Sequence, residues 1–401
     1  MGLRHTPDLK GKQRQSKTAL ANIRKNGQKI ADTPNAIKQT SSSRWKVLSQ
    51  TIAKMFYGIV LCESGFLFEC PNAHGGAKLC KHVAALHLKL TRLWNAKRKK
   101  LDINRIRLKC KKCGSRNFEG HGSRTCVRKA NTRRYRCKEC GATTSGLDGF
   151  RGRHFNVITI VTTLSMAACG MTPRQIMDHH NRSGICIHPS TIRRWISHYS
   201  RIANAWWATL KVDVGYMWHV DEIEIRIDGT RKYLPAVLDG SSRLVLSYMI
   251  SGKKDGVRPT RLFAQAAARA VRLPRVLVTD GLLDFIEPAK KVFYRMSGPR
   301  FVHIRDIHIQ NQFNNNNIYE RFNGEIRDLL KRVRGLRGKS PGIIGLMIWN
   351  HNCFRRHMGI DDMTPAAAAG ITIHGHEDYG GWGDWVTCVQ HAAIYAEASG
   401  K

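Results

Sequence analysis

The stretch Trp218-His219-Val220-Asp221-Glu222-Ile223-Glu224-Ile225-Arg226-Ile227 alternates apolar and polar residues, the period of a half-buried β-strand. Asp221 shares its face with Ile223, Ile225 and Ile227. A carboxylate on an apolar face is costly unless it holds a metal ion or a partner, so Asp221 is the first candidate for chemistry. Glu222 and Glu224 point the other way and read as surface residues. Downstream, the pattern predicts strands over 233–238 and 244–250, joined by the turn Asp239-Gly240-Ser241-Ser242. A helix over 260–271 leads into Arg275-Val276-Leu277-Val278-Thr279-Asp280-Gly281, a short buried strand ending in a carboxylate at a turn. Another helix and a strand over 301–304 follow, and the asparagine-rich 311–317 precedes a helix starting near Ile318.

Three strands, helix, strand, helix, strand, helix is the order of the ribonuclease H-like α/β fold, with a mixed five-stranded sheet. Asp221 lies in its first strand, Asp280 at the end of its fourth, and Glu320 on its last helix. Carboxylates from three separate elements converge only through the tertiary fold. Two Mg2+ (or Mn2+) ions need such hard oxygens, and a pair of ions clamps the attacking and leaving oxygens of a phosphodiester. On the last helix Phe322, Ile326, Leu329, Leu330 and Val333 form the apolar stripe, flanked by Glu325. Glu320, Arg327 and Lys331 share the polar face, which suits a metal- and DNA-facing surface. An ordinary salt-bridged helix face would look the same, and the two preceding aspartates decide against it.

Cys110-Lys111-Lys112-Cys113 and Cys137-Lys138-Glu139-Cys140 are two C-x2-C turns, each followed by glycine (Gly114, Gly141). Two such turns complete a tetrahedral thiolate site that suits a structural Zn2+. An earlier group, Cys70 with Cys80-Lys81-His82 at a helix start, resembles the SWIM zinc finger, although Phe68 stands where that pattern has its first cysteine. Cys62 or His74 is the candidate for the missing ligand of this second zinc set.

Between the ribbon and the aspartates lies a helix-turn-helix pattern. An apolar helix over 154–169 is followed by Thr172-Pro173-Arg174-Gln175, a capping box with proline at the first helical position. A second helix, capped by Ser190, places Ile192, Trp195, Ile196 and Tyr199 in a core and turns Arg193 and Arg194 outward. A basic second helix is how such a unit reads a major groove; the bland alternative is a helical hairpin with solvated arginines.

The 401 residues carry a net charge of +38. Such a charge repels itself unless a polyanion is near, so nucleic acid is the expected partner. Residues 1–50 hold 11 Lys/Arg against Asp8 and Asp32, and residues 91–140 hold 18 against Asp102, Glu119 and Glu139. No apolar run has the length of a membrane span, and the start of the chain lacks a secretory apolar segment. A cytoplasmic, nucleoid-associated protein is expected, with its 12 cysteines as thiols or metal ligands. The expected organisation is a basic, largely disordered tail (1–43), a SWIM-like segment (44–100), a zinc ribbon (101–150), a helix-turn-helix domain (151–210), the ribonuclease H-like domain (211–371) and a C-terminal tail (372–401).

Asn316-Asn317-Ile318-Tyr319-Glu320-Arg321, then Arg327, Lys331 and Arg334-Gly335-Leu336, resembles the terminal segment of DDE-class insertion-sequence transposases. Trp218–Glu222, Val278–Gly281, Asn350–His357 and Met363–Ile371 resemble the rest of that family's core. The resemblance implies that Asp221, Asp280 and Glu320 hold two Mg2+ ions for strand cleavage and strand transfer at the ends of a mobile element. It implies double-stranded DNA as partner, both element ends and target, and a homodimer or larger synaptic assembly. The residues also suit Arg327 and Lys331 as phosphate contacts. A catalytically inactive or domesticated DNA-binding regulator, and a ribonuclease, are the competing readings.

Overall fold

The computed structural model describes residues 17–41, 43–62, 65–68, 80–104, 107–126, 129–144, 150, 155–252, 257–279, 283–294, 301–305, 317–333, 335–336 and 342–399. The chain begins with helix α1 (Lys17–Asp32), strands β1 (Ile37–Ser41), β2 (Arg44–Leu48), β3 (Phe56–Cys62) and β4 (Gly65–Phe68), and helix α2 (Lys81–Ala96). The four strands form one antiparallel sheet in chain order. The disordered tail expected over 1–43 is therefore corrected from residue 17 onward. Ile30, Ala36 and Ile37 are buried, and α1 packs along α2. Gly27 marks that crossing: a Cβ there would meet the Ala84 Cβ at 2.8 Å, so the helices approach to near backbone contact.

Strand β5 (Leu101–Ile103) is followed by β6 (Phe118–Cys126), β7 (Lys129–Cys137) and β8 (Thr143–Thr144), a three-stranded sheet that carries the C-x2-C turns. Helices α3 (Val157–Ala168), α4 (Pro173–Arg182) and α5 (Pro189–Trp207) come next. Thr172 caps α4 through the expected box: Gln175 N–H donates to Thr172 Oγ1, and Thr172 N–H donates to Gln175 Oε1 at 2.9 Å. The cap of α5 is His188 rather than Ser190. Pro189 takes the first helical position, two residues earlier than a Ser190 cap would place it, and His188 Nδ1 accepts from the Ser190 N–H.

The central sheet consists of β9 (Met217–Ile227), β10 (Thr230–Asp239), β11 (Val245–Tyr248), β12 (Val276–Thr279) and β13 (Val302–Arg305), in the order β11-β10-β9-β12-β13. β9, β10 and β11 are antiparallel, while β12 runs parallel to both β9 and β13. Helix α6 (Val257–Arg269) crosses between β11 and β12, and α7 (Asn317–Val333) follows β13. This is the ribonuclease H-like arrangement.

Both faces of the sheet are covered. Trp218 on one face meets Phe293 edge to face, beside Phe263 of α6. On the other face, Met217, Val276, Val278 and Ile304 share a core with Trp45, Val47, Ile59, Val83 and Leu86 of the N-terminal unit. Helix α7 packs against β9 farther along.

Residues beyond 371 are also folded. β14 (Ile371–Ile373) pairs in parallel with β5, and α9 (Gly383–Ala398) packs along α5. Helix α8 (Gly342–Cys353) also packs along α5, and its Trp349 meets Trp385 edge to face at 5.2 Å. The tail expected over 372–401 is thus corrected: Trp385, Val386, Cys388, Val389 and Ala392 are buried, in a cluster continuous with α3, α5 and the central sheet.

Candidate functional site

Asp221 sits half-buried in the middle of β9. Its Oδ1 accepts from the Glu222 N–H at 2.7 Å, and its Oδ2 accepts from Asn323 Nδ2 at 3.1 Å. Asn323 is buried on α7, one helical turn beyond the exposed Glu320. Through this contact the helix that carries Glu320 is held against the strand that carries Asp221. β12 lies on the other side of β9, with Val278 in register with His219, two residues before Asp221. β12 ends at Thr279, and Asp280 itself lies outside the described residues.

Asn323 is a site residue that the sequence reading missed. Its Oδ1 has no hydrogen-bond partner among the described residues although it is buried. The one signal in the sequence was its position three residues after Glu320, which puts the two on neighbouring turns.

Three other acidic groups among the described residues are paired within the fold. Asp239 is fully buried in the β10–β11 turn, where it accepts from Gly215 N, Ser241 Oγ, Ser242 N and Ser242 Oγ. Asp213 is paired with Arg272 at 2.6 Å. Glu325, which the helical stripe left at its margin, turns inward to Arg355 Nη1 at 2.7 Å and His351 Nδ1 at 3.2 Å. Burial alone would raise its carboxyl, but the His351 hydrogen bond and the charges of His351 and Arg355 hold it below its ordinary value. Arg327 and Lys331 are exposed on the same helix as Glu320, and Lys331 also pairs with Asp328 at 3.2 Å.

The start of α4 faces the end of α7 across an open cleft of about 520 Å3, lined by Thr172, Gln175, Lys331 and Arg332. The turn between α3 and α4 touches α7 at Gly170, whose φ of +89° no L side chain readily adopts. Arg193 and Arg194 lie exposed on the first turns of α5, away from its buried stripe of Ile192, Trp195, Ile196 and Tyr199.

In the small sheet, the sulfurs of Cys110, Cys113, Cys137 and Cys140 all lie within 4.8 Å of one another. The two turns repeat one geometry. Gly114 N–H donates to Cys110 O at 2.8 Å and Gly141 N–H to Cys137 O at 2.9 Å, with both glycines at positive φ. Of the second candidate set, Cys80 and His82 meet, Sγ to Nδ1 at 3.8 Å, and both are buried. Cys70 and His74 lie outside the described residues, as does the side chain of Cys62.

Residues 215–342 match the protein family of the DDE domain, over the central sheet and α7. Over this stretch the chain is similar to DDE-class insertion-sequence transposases. The transposase for insertion sequence-like element IS431mec of Staphylococcus aureus (strain Mu50) is 26% identical over 133 residues, 33% of this chain and 58% of that protein. The S. aureus transposase for insertion sequence element IS257 in transposon Tn4003 matches to the same extent. The chain therefore spans little more than half the length of these relatives. Among solved structures, the HTLV-2 integrase catalytic core domain in complex with magnesium is 17% identical, covering 40% of this chain and 99% of that one, with a TM-score of 0.29.

Proposed function

We propose that this chain is a DNA transposase that binds the ends of a mobile element and carries out divalent-metal-dependent strand cleavage and strand transfer. The observation that carries the reading is the Asn323–Asp221 contact, which docks the Glu320 helix on the Asp221 strand, next to the strand that leads into Asp280. The donor chemistry fits Mg2+ or Mn2+. Asp221 is half-buried and accepts from two N–H donors, and a carboxylate so placed offers the hard oxygens that such ions take. The roles of Asp221, Asp280 and Glu320 as the metal-holding set follow from this and from their place in the DDE pattern.

When bound, such ions supply charge neutralisation and an activated oxygen at neutral pH. The chain's own residues then orient. Asp221 fixes one side of the site from a buried strand, and Asn323 keeps the Glu320 helix from rotating. Arg327 and Lys331, farther along the exposed face, hold phosphates in line. No protein nucleophile is called for: water would displace the 3′-oxygen at the element end from phosphorus, and the 3′-hydroxyl so freed would displace a 3′-oxygen of the target strand.

DNA is gripped elsewhere. Arg193 and Arg194 on α5 suit groove and phosphate contacts, and the cleft between α4 and the end of α7 suits a backbone that continues along α7 toward Glu320 at its start. The four-thiol cluster suits a structural Zn2+ that fixes a strongly basic sheet. Joining two element ends calls for a dimer or larger assembly. No helix among the described residues is long and apolar enough to cross a membrane.

The test is Mg2+-dependent nicking of labelled duplex element ends, compared with an RNA–DNA hybrid and with Asp221→Asn. Cutting of DNA ends that Asp221→Asn loses while still binding them supports the reading. Binding without cutting by the unaltered chain supports a regulator, and preference for the hybrid a ribonuclease.

A further inference from the structure

The site has a second layer behind α7. His351, on α8, is 2% exposed at its side chain and has an acceptor at each ring nitrogen. Nε2 lies 3.0 Å from the Arg243 carbonyl oxygen, at the β10–β11 turn. Nδ1 lies 3.2 Å from Glu325 Oε2, on α7. A carbonyl oxygen only accepts, so Nε2 carries a proton. An ionised carboxylate also only accepts, so Nδ1 carries one as well. A neutral imidazole would set a lone pair against one of these oxygens in a site without solvent to relieve it.

We infer that His351 is a buried imidazolium clamp that joins α7, α8 and the β10–β11 turn, and so sets the placement of Glu320 and Asn323 against Asp221. It is a positioning residue; its bearing on cutting rests on the transposase reading, whereas its protonation state does not.

The surrounding groups agree with this assignment. Arg355 on the following turn holds the other oxygen of Glu325 at 2.7 Å, so that carboxylate stays ionised and does not supply the shared proton. His357 stacks edge to face on His351 at 4.6 Å, and burial together with the charge of His351 brings it down to about 4, so it is neutral at ordinary pH. Arg243, drawn down by burial to about 10, remains a cation. Phe322 of α7 closes the remaining side of the His351 ring at 5.0 Å. One carboxylate is thus shared by two cations from α8 and its exit. Of the two, His351 is the enclosed tie to α7, and Arg355 is 46% exposed at its side chain.

The assignment is tested by 15N NMR of the full chain labelled at histidine, with the His351 signals identified by their loss in His351→Gln and their shift in the near-isosteric Glu325→Gln. Expected are two protonated ring nitrogens at neutral pH, and a neutral single-donor ring in Glu325→Gln. A single-donor His351 in the unaltered chain overturns the clamp, as does a doubly protonated ring unmoved by Glu325→Gln. In the cutting assay, Glu325→Gln lowers the rate about 10- to 100-fold with duplex binding unchanged, the size expected for misplaced reacting groups. An unchanged rate overturns the positioning role. If the unaltered chain cuts no DNA, the transposase reading fails while the NMR result still decides the clamp.

Discussion

Asn323 donates a hydrogen bond to Asp221 across the junction of α7 and β9, from a position 102 residues away in the chain. A half-buried carboxylate on the strand is thereby oriented by a side chain of the helix. Asn323→Ala removes this donor and with it one of the contacts that orient Asp221. We expect a stability loss of about 1–3 kcal/mol, the range for a buried hydrogen bond to a charged partner. Divalent-metal-dependent cutting should fall by more than duplex binding. Parallel denaturation, gel-shift and nicking measurements check this, and equal losses in all three would show a merely structural role.

The four-thiol cluster predicts one zinc per chain at Cys110, Cys113, Cys137 and Cys140. Metal analysis of the purified chain should find it, and Cys113→Ser should lose it. Because the turns are held by only a few backbone bonds, removal by a chelator should open the small sheet while the central sheet stays folded. Far-ultraviolet circular dichroism and limited proteolysis around 107–144 would report this. A zinc-free chain with an intact, protected ribbon would refute it.

Gly170 predicts a coupling between the α3–α4 turn and α7. A Cβ added there would meet Leu329 O at 3.2 Å and Arg332 Cδ at 3.3 Å, at a φ of +89°. Gly170→Ala should cost about 1–2 kcal/mol through the left-handed backbone, and more if the turn cannot shift. The melting midpoint should fall, and hydrogen exchange should quicken at both the turn and the end of α7. Exchange that quickens at the turn alone would show that the two elements are not coupled.

His87 predicts an acid limit to the docking of the N-terminal unit. Its Nδ1 meets Tyr216 Oη at 2.7 Å, and burial pushes the tyrosine hydroxyl up, so the phenol keeps its proton. Burial, then the charges of Arg243 and Arg24, bring His87 down to about 4 from an ordinary 6.5. Its folded value lies below its unfolded one, so the neutral ring's contribution is full above 6.5. It is lost as pH falls from 6.5 toward 4, by roughly 3 kcal/mol over that window. The pH dependence of the unfolding midpoint measures this, and His87→Gln should flatten part of it. An unaltered slope in that variant would sink the attribution.

Much of the site was legible in order and period. The alternation from Trp218 to Ile227 is the β9 strand, and its burial pattern beyond Asp221 follows the letters residue by residue. The Thr172–Gln175 box is local chemistry and so was readable locally. What escaped reading depends on distant partners. Helix α1 looks like a basic polar tail because its few apolar groups find α2 only after the four-stranded sheet has turned the chain back. Helix α9 lacks a polar face to give it period, since α5, α3 and α8 surround it. Glu325 and Asn323 differ from surface helix residues only by what lies opposite them, His351 with Arg355 in one case and Asp221 in the other.

The parallel pairing of β5 with β14 joins residues 101–103 to residues 371–373. This sets a schedule for biosynthesis. The strand that leads into the thiol-bearing sheet emerges from the ribosome early, yet its partner is made some 270 residues later. At roughly 5–20 residues per second, that delay is on the order of tens of seconds. During it the front half of the nascent chain lacks its tether, and a ribosome that stalls before residue 371 releases a product in which the basic sheet hangs from an unpaired strand.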